Sequence, residues 1–216
     1  TYFCAEPMMY RPQHYRSKSY KRSMQVIEQN PLATVITGSG ENPEIAMTPV
    51  LMNQEEHQLE GHFALQNNIW HKFQKSNTTT FLFQGPHGYI SPAWYVTKPH
   101  LPTWNYAVVE VKAEVFLINA QETVVTLLDK LTRHFDRNFS HYAESEEYAE
   151  LIKKAAEGVM CFHAKIININ SKFKLSQNKE SSDIEKLIAT LRKSEPKTID
   201  SLADLMQAEL NDQPKK

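Results

Sequence analysis

Cysteine is nearly absent from this 216-residue chain: Cys4 and Cys161 offer neither a disulfide framework nor a metal-binding spacing, which fits a reducing compartment. Phosphate-cradling glycine loops are missing as well. Gly38-Ser39-Gly40 has no third glycine and is followed by a strand pattern instead of a helix, so it reads as a hairpin turn. No apolar run approaches the length of a membrane span, and no basic-apolar-small leader is present. Neither sign of charge dominates: 24 Lys and Arg face 25 Asp and Glu, a formal net charge of −1, which argues against gripping nucleic acid over most of the surface. The nine histidines form no His-Glu-x-x-His or Cys/His zinc array, and there is no nucleophile elbow, triad order or P-loop. Dedicated hydrolytic chemistry is therefore not expected, no catalytic acid or base stands out, and the expected address is the cytoplasm.

What the chain does have is three dense aromatic-polar patches. They run from Gln84 through Gly85, Pro86, His87, Gly88, Tyr89, Ile90, Ser91, Pro92, Ala93 and Trp94 to Tyr95, from Leu101 to Tyr106, and from Lys172 to Asn178. Flat apolar surfaces beside a few directional hydrogen-bond groups are the lining of a pocket for a planar polar ligand.

The pattern along the chain gives the fold class. A helix ends at Asn30 before Pro31, and strands are expected over 32–37, 44–52, 57–65 and 78–84, with a short helix over 68–75. Over residues 107–117, Val109, Val111, Ala113, Val115 and Leu117 alternate with Glu110, Lys112, Glu114 and Phe116, as on a half-exposed antiparallel strand. The period then switches: Val124, Leu128, Leu131 and Phe135 recur as on a helix resting on a sheet. A helix over 144–158, a strand over 159–170 and two C-terminal helices broken at Pro196 complete the chain. Hairpin-linked strands without βαβ alternation predict an α+β chain, mainly antiparallel, built on a small barrel with peripheral helices. Residues 1–8 read as a tag or disordered N-terminus, 9–178 as the barrel domain, and 179–216 as a helical extension packed on it.

Each candidate residue has an ordinary reading beside the functional one. His134 and His141 flank a helix end and are expected to face solvent. His62 and His87 lie beside glycine and near aromatics, and stand equally for a pocket role or a backbone hydrogen bond. Ser91, between Ile90 and Pro92, suits a turn or an anion but has no evident base. Trp70, Trp94 and Trp104 could be core residues; two of them adjoin Tyr, Asn and Thr in what read as Pro-bounded loops, which favours a rim position. Lys172 and Lys174, two apart near a strand end, point the same way and could meet a phosphate or only solvent. The five basic residues between Arg11 and Arg22 could touch DNA phosphates, although a solvated approach to the first helix is the plainer reading. The last helix cannot serve as a DNA-reading helix, because its end carries Asp200, Asp204, Glu209 and Asp212 and no base.

Met9-Tyr10-Arg11-Pro12, Pro31-Leu32-Ala33-Thr34, Gly61-His62-Phe63-Ala64, the patch from Gly85 to Tyr95, Pro102 to Tyr106 and Lys174 to Asn178 follow one another in the order of a known family. On these motifs the chain resembles the PaiB-type FMN-binding negative transcriptional regulators. The resemblance implies a split barrel like that of pyridoxamine-phosphate oxidases and flavin reductases, and a homodimer with flavin pockets formed between subunits. Three positions depart from the family pattern: Met47 stands where a His is expected, Leu65 where an Arg is expected, and Glu110 where a His is common. A leucine cannot give an arginine's bidentate phosphate contact. Our first hypothesis for this chain's own residues has Trp94 and Trp104 flank the FMN ring or the pocket mouth, with hydrogen bonds from Thr48, Ser91, Asn105 and Gln177. Lys172, together with Lys72, takes the phosphate, and His62, Trp70 and Thr103 complete the candidate set. Haem is the alternative cofactor. The alternative functions are a flavin- or haem-dependent oxidoreductase, and a member without flavin that acts through protein or DNA partners, the latter along residues 11–22.

Overall fold

The computed structural model describes residues 9–17, 19–38, 42–73, 78–136, 144–193 and 197–212. The expected N-terminal segment 1–8, the Ser39-Gly40 tip of the hairpin turn, Lys18, His141 and Pro196 lie outside the described residues. Six strands, β1 (Leu32–Thr37), β2 (Glu44–Asn53), β3 (Gln58–Ala64), β4 (Thr79–Ile90), β5 (Thr103–Ile118) and β6 (Val159–Lys174), close a barrel in the order β1-β2-β3-β6-β5-β4. The β1–β2, β1–β4, β2–β3 and β3–β6 pairings are antiparallel. This is the α+β, mainly antiparallel architecture the alternating patterns predict. By its contacts the chain groups into two compact units: residues 27–83 with 110–169, and the N-terminal residues to Val26 with 84–109 and 170 onward.

The first of these units has a dry aromatic centre. Ala33 and Val35 on β1 are fully buried while Leu32 is 54% exposed, the period-two pattern of a strand with one wet face. Phe63, Phe73 and Phe81 surround Phe162, with ring centroids 5.5, 6.2 and 5.9 Å from it. Such pairs add to the transfer energy of ring burial. Gly61 on β3 faces this cluster: a Cβ there would come within 2.8 Å of Phe162 Cζ and 3.2 Å of the Pro49 carbonyl, so only glycine lets the strand pass. Helices α3 (Gln121–Phe135) and α4 (Glu146–Ala156), the third and fourth after α1 (Tyr20–Gln29) and α2 (Trp70–Phe73), lay apolar stripes on the sheet. Val124, Leu127, Leu128 and Leu131 meet Tyr148, Ile152, Leu51 and Cys161 there. Each buried leucine contributes about 2 kcal/mol of transfer energy. The Ser145 hydroxyl caps α4 by accepting the Tyr148 amide at 3.2 Å.

The second unit corrects one expectation. The aromatic patches were read as loops, but Gly85 to Ile90 belong to β4 and Thr103 to Tyr106 to β5. Alternation extends through them: Asn105, Ala107 and Val109 are fully buried while Trp104 is 54% exposed. The glycines in the patch mark close approach, not a turn. A Cβ on Gly85 would meet Val26 at 3.1 Å and Ala107 at 3.3 Å, and one on Gly88 would meet Leu202 at 3.0 Å. Leu202 belongs to α6 (Lys197–Asn211), which packs with α5 (Ser181–Leu191) through Ile184, Leu187, Leu191 and Met206, all buried. Arg22 of α1 is bound by Glu209, by the Ala208 carbonyl and, at 2.6 Å, by Asp212. The acids at the end of α6 thus hold a cation of their own unit.

Candidate functional site

Strand alternation on β5 sends Trp104 outward, where the nearest rings are those of His87 and Tyr89 on β4, each with its centroid 6.3 Å away. Tyr106 leaves β5 on the same side, and the Lys172 ammonium lies over its ring at 5.4 Å and over that of Tyr10 at 5.2 Å. Two residues on, Lys174 donates to the Thr103 hydroxyl and, at 2.6 Å, to the Trp104 carbonyl. Burial, then the neighbouring Lys172 and Lys179, depress the Lys174 pKa. The sheet face therefore presents an open indole with two lysines beside it, a stacking surface next to positive charge.

Behind that face the side chains turn inward. Asn105 donates to the Ser176 hydroxyl at 2.9 Å and lies 3.5 Å from Met206 Sδ, and Ser176 returns a bond to Asn105 Oδ1 at 3.2 Å. Ser176 holds a left-handed backbone, φ 65°, which a non-glycine residue adopts only under local constraint. Gln177 is spent on backbone, accepting the Leu175 amide at 2.7 Å and donating to the Phe173 carbonyl at 2.5 Å. Asn105 and Ser176 border a cavity of about 380 Å³ whose wall includes Tyr15, Tyr95, His100, Leu101, Lys174 and Lys179. Tyr95 is 4% exposed and its hydroxyl is buried without a hydrogen bond of good geometry. Burial raises its pKa and Asp183 adds to that, while the Ser176 hydroxyl beside it, already committed to Asn105, works against the rise.

One carboxylate fastens the segment that edges the cavity. Asp183 of α5, 1% exposed, accepts the Val96 amide at 2.7 Å, the Thr97 amide at 2.9 Å and the Thr97 hydroxyl at 2.5 Å, with His100 Nε2 at 3.3 Å. Burial alone would raise its pKa; the bonds from Thr97 and Val96 and the adjacent His100 outweigh it, and the pKa is lowered. Ser91 accepts the Ala93 amide at 3.2 Å at the start of the short 3-10 turn Pro92–Trp94, in which Trp94 sits half-buried.

The remaining candidates belong to the other unit. Thr48 is buried and gives its hydroxyl to the His62 carbonyl at 2.6 Å. His62 Nδ1 is buried without a partner, and burial pushes the imidazole pKa down, which keeps the ring neutral. Trp70 donates its indole N–H to the Leu65 carbonyl at 3.1 Å, and Lys72 lies 3.7 Å from Glu44. Met47 and Leu65 are exposed, and Glu110 is buried.

The structure thus places Thr103, Trp104, Asn105, Lys172, Gln177, Ser91 and Trp94 in one unit and Thr48, His62, Trp70 and Lys72 in the other; Trp104 is exposed, whereas Asn105 and Gln177 are spent on internal bonds. Sequence reasoning missed Tyr95 as a site residue, along with His100, Lys179 and Asp183. Tyr95 closes the first motif patch and Lys179 follows the third; Asp183 carries no motif and is found only through its bonds. Among the described residues no group of three or more His, Cys, Asp and Glu could hold a metal ion, and no helix is long and apolar enough to cross a membrane.

Comparison with known proteins agrees with this architecture. Residues 9–168 match the family described as "Putative FMN-binding domain". The "Protease synthase and sporulation protein PAI 2" of Bacillus subtilis is 28% identical over 95% of this chain and 100% of its own length. An uncharacterized protein of Saccharomyces cerevisiae is 25% identical over 57% of this chain and 88% of its own. Among solved structures, the flavocytochrome Anf3 of Azotobacter vinelandii superposes with a TM-score of 0.61 at 11% identity, covering 76% of this chain and 72% of its own. The FAD and heme binding protein of Mycobacterium smegmatis gives 0.59 at 15%, covering 81% and 80%. The chain belongs to the FMN-binding domain family that its residues 9–168 match.

Proposed function

We propose that this protein binds FMN and acts as a negative transcriptional or redox-responsive regulator in the cytoplasm. Family membership supplies the cofactor class, and one structural observation carries the reading to particular residues: the exposed Trp104 face with Lys172 and Lys174 beside it. Those residues fit a flavin. Trp104 would support the ring and Lys172 would meet the phosphate, while Asn105, buried and bonded to Ser176, would brace the strand behind the indole. The buried, partnerless His62 Nδ1 is a further polar atom suited to a ligand. When bound, FMN supplies one- and two-electron redox chemistry. The protein residues bind, orient and shield it, and no acid or base is needed for that task.

The regulator reading draws on the PaiB-type resemblance and on the relative whose name concerns protease synthase and sporulation. A homodimer with ligand pockets between subunits is the assembly we favour, and the exposed Leu32, Ile45 and Met47 of the β1–β2 hairpin support it as an apolar surface of the kind partners cover. The extension 179–216 supports the candidate site of the barrel domain, residues 9–178, since Asp183 holds the segment beside that site. DNA contact along residues 11–22 gains no support, because Arg22 is bound by α6.

The test is a visible spectrum of the purified protein, followed by titration with FMN and with haem. Tight FMN binding that weakens about tenfold in Lys172→Ala supports the reading. A Soret band with no flavin uptake would move the protein to the haem-dependent oxidoreductase alternative. Silence with both would leave a scaffold acting through protein partners.

A further inference from the structure

Beside the flavin candidate surface lies a cavity that the flavin reading leaves unexplained. Its volume of about 380 Å³ suits a small molecule. Its wall includes Lys174, Lys179 and His100 and no carboxylate, so charge of one sign faces a ligand. The aromatic and aliphatic groups Tyr15, Leu101 and Pro102 add an apolar side. Tyr95, 4% exposed, is part of the wall, and its hydroxyl is buried without a hydrogen bond of good geometry. An unmade bond at a buried hydroxyl is costly unless something else completes it.

Only part of this polar lining is spent within the protein. The Lys179 ammonium lies 3.2 Å from His100 Nδ1 and 5.6 Å above the Tyr95 ring, which leaves N–H groups for a ligand. Lys174 has two bonds, to Thr103 and Trp104, and a third N–H remains. Ser176 and Asn105 satisfy one another and form a fixed floor. We infer that this cavity is a second ligand site, separate from the flavin, for a small organic anion that carries a ring. The carboxylate or phosphate head meets Lys179 and Lys174, the Tyr95 hydroxyl donates to it, and the ring rests against Tyr15, Leu101 and Pro102.

The full-length protein is titrated by calorimetry with benzoate, phenyl phosphate, inorganic phosphate and the neutral benzyl alcohol, with and without saturating FMN. Benzoate or phenyl phosphate is expected to bind once per chain and equally in both conditions, and the tighter of the two identifies the head group. Benzyl alcohol is expected to bind at least about tenfold more weakly, Lys179→Met to weaken the anion about tenfold and Tyr95→Phe about fivefold, both with FMN affinity unchanged. Lys179 is partly exposed, so its variant decides the matter should Tyr95→Phe fail to fold. Equal binding of benzyl alcohol would overturn the charge requirement, and inorganic phosphate binding as tightly as phenyl phosphate would overturn the ring. Displacement by FMN, or no binding of either organic anion, would overturn the site itself. If FMN fails to bind while benzoate does, the flavin reading falls and this one stands.

Discussion

Glu60 and Asp183, one in each compact unit, are buried carboxylates whose pKa lies below the usual value, yet they do different work. Burial would raise both. At Glu60 it is outweighed by side chains: Lys130 at 2.6 Å, Asn53 at 3.1 Å and Gln58 at 3.1 Å. At Asp183 it is outweighed largely by the backbone and hydroxyl of the Val96-Thr97 segment. The first arrangement ties residues of β2 and β3 to Lys130 of α3, the helix that lays its leucines on the sheet. The second holds a chain segment at the border of a polar cavity by a single side chain. A scaffold spreads its support over many groups; a site border resting on one carboxylate can be loosened without disturbing a core.

The sharpest break of that contrast is on the scaffold side. Gly61→Val places two methyl groups where even a Cβ would lie 2.8 Å from Phe162 Cζ, and Phe162 is boxed in by three other rings. Urea denaturation is expected to show a loss of about 3 kcal/mol, at the upper end of overpacking costs. A loss under about 1 kcal/mol would mean that the aromatic cluster is free to shift.

Asp183→Asn is expected to cost less, roughly 2 kcal/mol, since the amide keeps an acceptor but loses the charge. Its signature is local: faster amide hydrogen exchange at Val96 and Thr97, with the Phe162 cluster unchanged. Uniform loss of protection throughout the chain would contradict the contrast. The pH dependence follows from the sign of the shift. The folded pKa lies below the ordinary 3.8, so the unfolded chain takes up the proton first. The stabilisation is complete above that value and disappears as pH falls through the folded pKa. Asp183→Asn should therefore flatten the acid limb of a stability profile while leaving the part that Glu60 contributes.

The scaffold was the legible half. Period-two alternation over 107–117 and period-3.6 recurrence after Gln121 identified β5 and α3 to within a few residues, because burial on one face imposes those periods. The motif patches misled as to secondary structure: glycine and proline from Gly85 to Gly88 suggested a loop, whereas Gly85 and Gly88 admit Val26, Ala107 and Leu202 against a strand. The candidate set mixed Thr103, Trp104, Asn105, Lys172 and Gln177 with Thr48 and Lys72 of the other unit, because motifs carry no strand order. The bonds from Asp183 to Val96 and Thr97 were not legible either, since 86 and 87 residues separate the partners and an aspartate near a helix start ordinarily signals only helix capping.

The mildest substitution bears on which lysine meets the phosphate. Lys72 pairs with Glu44 at 3.7 Å, and both side chains are nearly half exposed, so the pair is worth roughly 0–1 kcal/mol and weakens with salt. Lys72→Met should leave stability within about 0.5 kcal/mol of the parent. Lys172 differs in setting, held between the rings of Tyr10 and Tyr106 beside the exposed indole. Its position is fixed before any ligand arrives, whereas Lys72 must leave a solvated pair and lose rotamer freedom to make the same contact. FMN affinity is accordingly expected to survive Lys72→Met and to fall in Lys172→Ala. The reverse result, a tenfold loss in Lys72→Met alone, would assign the phosphate contact to the unit read here as scaffold.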